Sequence, residues 1–223
     1  LGYSNLMNEG DSKLTTVSDR QRWDQRYRQG SYENRYWPSA YLERLCHDGT
    51  IGSTGRALEI ACGRGRNSLY LAERGFQVDA VDVSPVALAY GVNSAISQGV
   101  AVNWQCRNVL EGDVSLEPAA QYDLIVVIRF VAPKLLPKLV AALSVDGVLL
   151  IDSHMQWSGS EDLVGPSSQR FRVKPGELKR LLHSAQTPFD IVDEYEGLVP
   201  EPATDGQDGV AAVSRLCIRR RTS

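Results

Sequence analysis

Four groups of residues in this chain have the side chains and the spacing to do chemistry. The first is Glu59-Ile60-Ala61-Cys62-Gly63-Arg64-Gly65, with Asp82 seventeen residues after Gly65. Glycines between a strand and a helix let the backbone approach a ligand, and the helix start offers unpaired N–H groups. An acid that ends the next parallel strand can accept hydrogen bonds from ribose hydroxyls. The second group is Arg129-Phe130, directly after an apolar run at residues 122–128. An arginine there must face a ligand or pair with an acid such as Asp123 or Asp152, because an unpaired buried guanidinium is costly. The third is Asp152 and His154, after the apolar run 147–151. His154 reads as a base, a ligand contact or an ordinary loop histidine. The fourth is the aromatic set Trp23, Tyr27, Tyr32 and Trp37. Such flat side chains either pack on a sheet or close over a reacting centre and exclude water.

Alternating strands and helices must position these groups. Ser18 caps a helix to about Gln29, with Gly30 as its stop. Pro38 opens a second helix at 39–47, whose inward side is Tyr41, Leu42 and Leu45. Residues 56–61 form the first strand, 67–74 a helix stopped by Gly75, and 76–81 the second strand. Ser84-Pro85 starts a helix that runs to about Gln98, with Gly99 as its stop. Residues 101–106 alternate as a third strand, and 108–121 read as a polar loop. The run 122–128 is nearly continuous in apolar residues, as expected of a central parallel strand covered on both faces. A helix at 133–143 contains Pro137, which kinks it or sets its true start, and 147–151 is the fifth strand. A long loop, 155–173, carries Arg170. A helix from Pro175-Gly176-Glu177 ends near Ala185. Strands at 189–195 and 211–219 look like an antiparallel hairpin split by the stretch 197–209.

The expected fold is therefore α/β. It is a Rossmann-like, seven-stranded, mostly parallel sheet with a C-terminal antiparallel hairpin and helices on both faces. The expected organisation is one domain: a flexible arm at 1–17, a helical lid segment at 18–50 and a ligand-binding domain at 51–223. The 223 residues are 43% hydrophobic and 23% charged, enough for one sizeable core. A net charge of −3 argues against a general nucleic-acid binder, which needs a basic face. Cys46, Cys62, Cys106 and Cys217 are scattered and form no C-x-x-C pair, and no histidine clusters with them. That suggests neither a metal site nor a disulfide framework and fits a reducing cytoplasm. No run approaches the roughly 18 apolar residues of a membrane span, and the first residues lack a signal pattern.

The glycine turn continues as Arg66-Asn67-Ser68, so the third glycine of a dinucleotide fingerprint is missing. The order E-x-x-C-G-x-G with an early Asp82 instead resembles the S-adenosylmethionine motif of class I methyltransferases. The segment C-G-R-G-R-N-S-L-Y-L-A, from Cys62 to Ala72, looks like the tellurite-resistance TehB-like family, related to the thiopurine methyltransferases. W-D-Q-R-Y-R-Q-G from Trp23 resembles the helix those families place before the core, and F-R-V-K-P-G-E-L-K-R from Phe171 their late helix start. The resemblance runs from about residue 20 to residue 219.

It implies a cofactor, S-adenosyl-L-methionine, and a wall for it made of Glu59, Ala61, Gly63, Gly65, Asn67, Asp82, Val83, Asn108, Val109 and Arg129. In that reading Gly63 and Gly65 admit the methionine part, Glu59 holds its ammonium directly or through water, and Asp82 takes both ribose hydroxyls. Val83 lines the adenine and Val109 offers a backbone N–H. Asn108, standing where the family commonly has Asp, accepts from the adenine amino group. Arg129 and His154 are the catalytic candidates, and Trp23, Tyr27, Tyr32, Trp37 and Phe130 form the acceptor wall or lid. Arg66 reaches the cofactor carboxylate or solvent. No [DN]-P-P-[YF] follows the fourth strand, where V-V-I-R-F stands. That disfavours enzymes that methylate amino groups of DNA and of many proteins, and points to a small acceptor. Sulfur and its heavier congeners need little base catalysis, whereas a hydroxyl or protonated amine needs a base. The expected reaction is methyl transfer to a small thiol or chalcogen, leaving S-adenosyl-L-homocysteine. Oxygen or nitrogen acceptors, a non-catalytic cofactor-binding sensor or partner subunit, and monomer or homodimer all stay open. No metal, nucleic acid or membrane partner is expected.

Overall fold

A computed structural model gives residues 19–110, 121–201 and 209–222 of the chain. The expected arm at 1–17 and the cap Ser18 lie outside the described residues, as do 111–120 of the polar loop and 202–208 before the last strand. The chain opens with helix α1 at 19–28, followed by turns and α2, Ala40–His47. Then come β1 Gly55–Ile60, α3 Arg66–Glu73, β2 Phe76–Asp82, α4 Pro85–Gln98, β3 Val102–Cys106 and β4 Tyr122–Ile128. The second half contains α5 Leu136–Ala142, β5 Leu143–His154, α6 Glu177–Leu182, β6 Phe189–Pro200 and β7 Val210–Arg220.

The seven strands form one sheet in the order β3-β2-β1-β4-β5-β7-β6. Neighbours from β3 through β5 are parallel, while β7 runs antiparallel to both β5 and β6. The chain leaves β1 for β2 on one side and later returns to place β4 on the other. This switch point opens a crevice beyond the C-terminal ends of the strands, where ligands of such sheets bind. Side chains alternate cleanly between two cores. Leu58, Ile60, Ile125, Val127, Leu149 and Ile151 face α5 and α6. Ala57, Leu124, Val126, Val148 and Leu150 face α2, α3 and α4. A strand covered on both sides has no polar face to show, which explains the unbroken apolar run of β4.

Several boundaries differ from the expectation, each for a local reason. Pro133–Leu135 form a separate 3-10 turn, and Pro137 lies in the first turn of α5, where its missing N–H costs nothing. Strand β5 runs on through Asp152, Ser153 and His154, because they pair with Arg215, Ser214 and Val213 of β7. His154 is therefore a buried strand end and not a loop residue. Helix α6 stops at Leu182, three residues short of Ala185. Strand β6 extends to Pro200, which an outer strand tolerates because no N–H is needed there for the ladder.

Gly65 has a structural reason of its own. It caps α3 in the left-handed region with φ +79°, and a Cβ there would stand 2.3 Å from the Trp104 ring. Gly91 in α4 meets the same ring at 2.7 Å, so the two glycines make a slot for the indole of β3. Gly99 has nearly the same backbone, φ +70°, but nothing within 4 Å of an added Cβ. Gly99→Ala should therefore cost about 1 kcal/mol from the backbone alone. Gly65→Ala should cost about 2–4 kcal/mol, because the clash adds to the strain. Urea denaturation of both variants checks this; equal losses would mean that Trp104 yields freely.

Candidate active site

At the switch point a cavity of about 200 Å³ opens beneath α1 and the turn after it. Its floor is the loop after β1. Ala61, Gly63 and Gly65 all adopt left-handed backbone there, with φ of +55°, +56° and +79°. Ala61 does so without the freedom of glycine, a strained conformation of the kind found where geometry is functional. Asp82 at the end of β2 fixes this loop. Its Oδ2 accepts from Gly63 N–H at 2.8 Å, and its Oδ1 accepts from Ser84 N–H at 2.8 Å. Each oxygen keeps a further lone pair for a ligand. Burial raises the pKa of Asp82 despite these bonds.

Glu59 is almost fully buried and accepts from Asn67 Nδ2 at 2.8 Å and, through a short bond, from Ser68 Oγ. Burial raises its pKa as well. Asn67 Oδ1 in turn accepts from Ser39 N–H at 2.8 Å, so Glu59 ties β1 to the starts of α3 and α2. At the other end of the cavity lie Val83, Asn108 and Val109. Asn108 Oδ1 accepts from Leu110 N–H at 2.9 Å.

The roof comes from the N-terminal segment. Trp23, Tyr27 and Tyr32 form a row, with successive ring centroids 6.1 Å apart. Tyr27 is buried, and its hydroxyl would be 2.7 Å from a Cβ on Gly63, so any side chain at position 63 would collide with the roof. Asp24 docks the same helix, because its Oδ1 accepts from Ser84 Oγ at 2.5 Å.

Arg129 follows β4 with φ +58°. It donates from Nη1 to Asp152 Oδ1 at 3.0 Å and from Nη2 to Glu201. Arg215 Nε donates to the second oxygen of Asp152 at 3.4 Å, and Arg35 Nη1 to the second oxygen of Glu201 at 3.4 Å. Of the two acids weighed as structural partners of Arg129, Asp152 is the one used. Asp123 instead accepts from Arg56 N–H and Ser144 Oγ. His154 lines the cavity beside Phe130, with Nδ1 buried and lacking a partner among the described residues. Burial, together with Arg129, Arg172 and Arg35, pushes its pKa down to about 2. The imidazole is thus held in its neutral form, a weak proton acceptor.

The cavity wall brings together Glu59, Ala61, Gly63, Asn67, Asp82, Val83, Asn108, Val109, Arg129, Phe130, His154, Trp23, Tyr27 and Tyr32. Gly65 and Trp37 are not in it. Trp37 is half exposed, and its carbonyl accepts from Arg66 Nη1 at 2.8 Å. Arg66 does line the cavity. Sequence reasoning passed over Arg35, Asp24 and Glu201. Arg35 and Asp24 sit inside the aromatic segment already singled out, but Glu201 lies beyond β6 with no local motif to mark it. Among the described residues no cluster of three or more His, Cys, Asp or Glu could hold a metal ion, and no helix is long and apolar enough to cross a membrane.

A family model described as tellurite resistance protein TehB matches residues 28–195. The crystal structure of TehB from Haemophilus influenzae superposes with a TM-score of 0.64 at 19% identity, over 86% of this chain and 66% of that one. A structure described by the conversion of a disulfide bond into a thioacetal group during echinomycin biosynthesis gives 0.69 at 19%, over 91% and 92%. A curated relative, ribosomal RNA small subunit methyltransferase C from Alcanivorax borkumensis, is 30% identical over 88 residues. That match spans 40% of this chain and only 26% of the relative.

A histidine held neutral makes a titration prediction. In the unfolded chain it takes a proton near 6.5, but the folded chain refuses it until about pH 2. Its contribution is thus intact above pH 6.5 and is lost as pH falls below that value. Between pH 6.5 and 5 the chain should lose up to about 1.5 kcal/mol more than His154→Phe, measured by chemical denaturation. Parallel losses would mean that the folded site accepts the imidazolium.

Proposed function

Because the chain belongs to the TehB family of class I S-adenosylmethionine-dependent methyltransferases, we propose that it transfers the methyl group of that cofactor to a small acceptor, at sulfur or another chalcogen. The cavity fits the cofactor. Gly63 leaves the cradle clear of side-chain atoms, and Asp82 lines it with acceptor capacity to spare. In this reading Asp82 takes the ribose hydroxyls, with Glu59 and Asn67 toward the methionine end and Val83, Asn108 and Val109 around the adenine. Ala61 and Gly63 form the floor. Gly65 acts indirectly, by holding the turn against Trp104. When bound, the cofactor supplies an electrophilic sulfonium methyl.

The chain's own residues then align the acceptor and exclude water. Residues 18–50 serve as the lid of a methyltransferase domain at 51–223, and Trp23, Tyr27, Tyr32 and Phe130 wall the acceptor. One observation carries the choice of acceptor. No unpaired base lines that end among the described residues: His154 is held neutral, and Asp19, the carboxylate beside the aromatic roof, pairs with Arg22 and Arg170. An oxygen or nitrogen acceptor needs a base worth about 100-fold or more, whereas a thiol ionises on its own. One structural neighbour, described as turning a disulfide into a thioacetal, also acts at sulfur. An RNA acceptor, as for the curated relative, suits the net charge of −3 less well.

Release of S-adenosylhomocysteine with matched thiol, phenol and primary amine acceptors tests this. Thiol turnover should exceed amine turnover by at least about 100-fold and rise with pH toward the thiol pKa. Faster methylation of the phenol or amine would contradict the reading, and consumption of no acceptor would favour a non-catalytic binding protein.

A further inference from the structure

Phe130 stands between two cavities. Among the described residues it alone lines both the large cavity at the switch point and a second, smaller one behind it. The second holds about 10 Å³, room for about one water molecule, and its walls include Val127, Leu139, Ile151, Val173 and Leu178, all buried. These side chains belong to the core between the sheet and the helices α5 and α6. The backbone around Phe130 is fixed on both sides. Arg129 turns the chain out of β4 with φ +58° while its N–H donates to the Asp152 carbonyl at 2.7 Å, and Ser153 Oγ donates to the Phe130 carbonyl at 3.4 Å. The Phe130 side chain is partly buried and packs against that core. A void of this size cannot take in an aromatic ring, so the ring has nowhere to retreat.

We propose that Phe130 is a specificity-determining residue of the acceptor site: its ring closes the way from the cavity at the switch point into an apolar recess of the core, and so limits the acceptor to a short substituent beyond the reacting atom. This rests on the acceptor end assigned above. A longer substituent must displace the ring, and the recess behind it is too small to receive it. Truncating Phe130 to alanine removes the ring and joins the two spaces. The aliphatic walls of the joined space suit a linear alkyl or aryl group and refuse a charged one. The Ser153 hydroxyl, which also lines the recess, is already engaged with the Phe130 carbonyl. Each methylene that such an extension accommodates strengthens binding about fourfold.

Two measurements on the full chain test this. Benzene, titrated by isothermal calorimetry without cofactor, reads the recess alone, so methyl transfer plays no part in that outcome. Phe130→Ala should bind benzene at least about tenfold more tightly than wild type. Adding Val173→Phe, which refills the recess, should abolish the gain. Equal affinity in wild type and Phe130→Ala would overturn the proposal, as would a gain that survives Val173→Phe. With S-adenosylmethionine present, the ratio of kcat/KM for hexanethiol over ethanethiol should rise at least about tenfold in Phe130→Ala. Thiol turnover with an unchanged ratio would overturn the proposal and leave the sulfur acceptor in place. No thiol turnover in either chain, with the benzene contrast intact, would refute the sulfur acceptor and leave the closed recess in place. If Phe130→Ala does not fold, as judged by circular dichroism, Phe130→Val should shift both readouts in the same direction.

Discussion

One carboxylate holds the cradle together. Asp82 accepts from Gly63 N–H after β1 and from Ser84 N–H at the start of α4, so two loops that meet at the switch point share one anchor. Hydrogen bonds to a charged group contribute about 1.5–3 kcal/mol each, more than neutral ones. Ser84 extends the link, because its hydroxyl donates to Asp24 of α1. The floor, the acid at the end of β2 and the roof are thereby one connected unit. A carboxylate so placed is close to irreplaceable. Asparagine would present one acceptor oxygen and an NH2 group to two N–H donors, and alanine would leave both donors unpaired.

The second organising feature is the treatment of charge. Basic residues crowd the cavity; ion pairs hold Arg35 and Arg129, and His154 remains neutral beside them. Among the described residues, the Phe130 end of the cavity therefore sets paired charges against aromatic walls. In the function proposed above, a soft nucleophile suits that environment. The same ion pairs bridge segments that the sheet does not join: Glu201 connects the turn before α2 to the end of β4, and Asp152 connects β4 to β7. Charge neutralisation and closure of the roof are therefore the same set of contacts.

Most of the sheet was legible in the sequence because both of its faces are buried and its turns are marked. The run through Val126, the Ser84-Pro85 cap and the stop at Gly99 are local signals, and the structure follows them within a residue. Errors arose where long-range pairing decides. Nothing near His154 says that β7 will extend β5 around it, so a buried histidine was read as a loop residue. The spacing around Gly65 likewise gives no sign that Trp104 from another strand packs against it. Trp37 lies in an aromatic run that mixes roof residues with a surface one. Glu201 left no trace, because its meaning comes from two arginines 166 and 72 residues away.

The central claim is that Asp82 and the turn around Gly63 form the seat of an adenosyl cofactor. Calorimetric titration of S-adenosylhomocysteine into wild type and into Asp82→Asn tests it most directly. The account predicts one site per chain in wild type and at least about tenfold weaker binding in a folded Asp82→Asn. Binding that is equal in both chains, or undetectable in wild type at millimolar ligand, would contradict it.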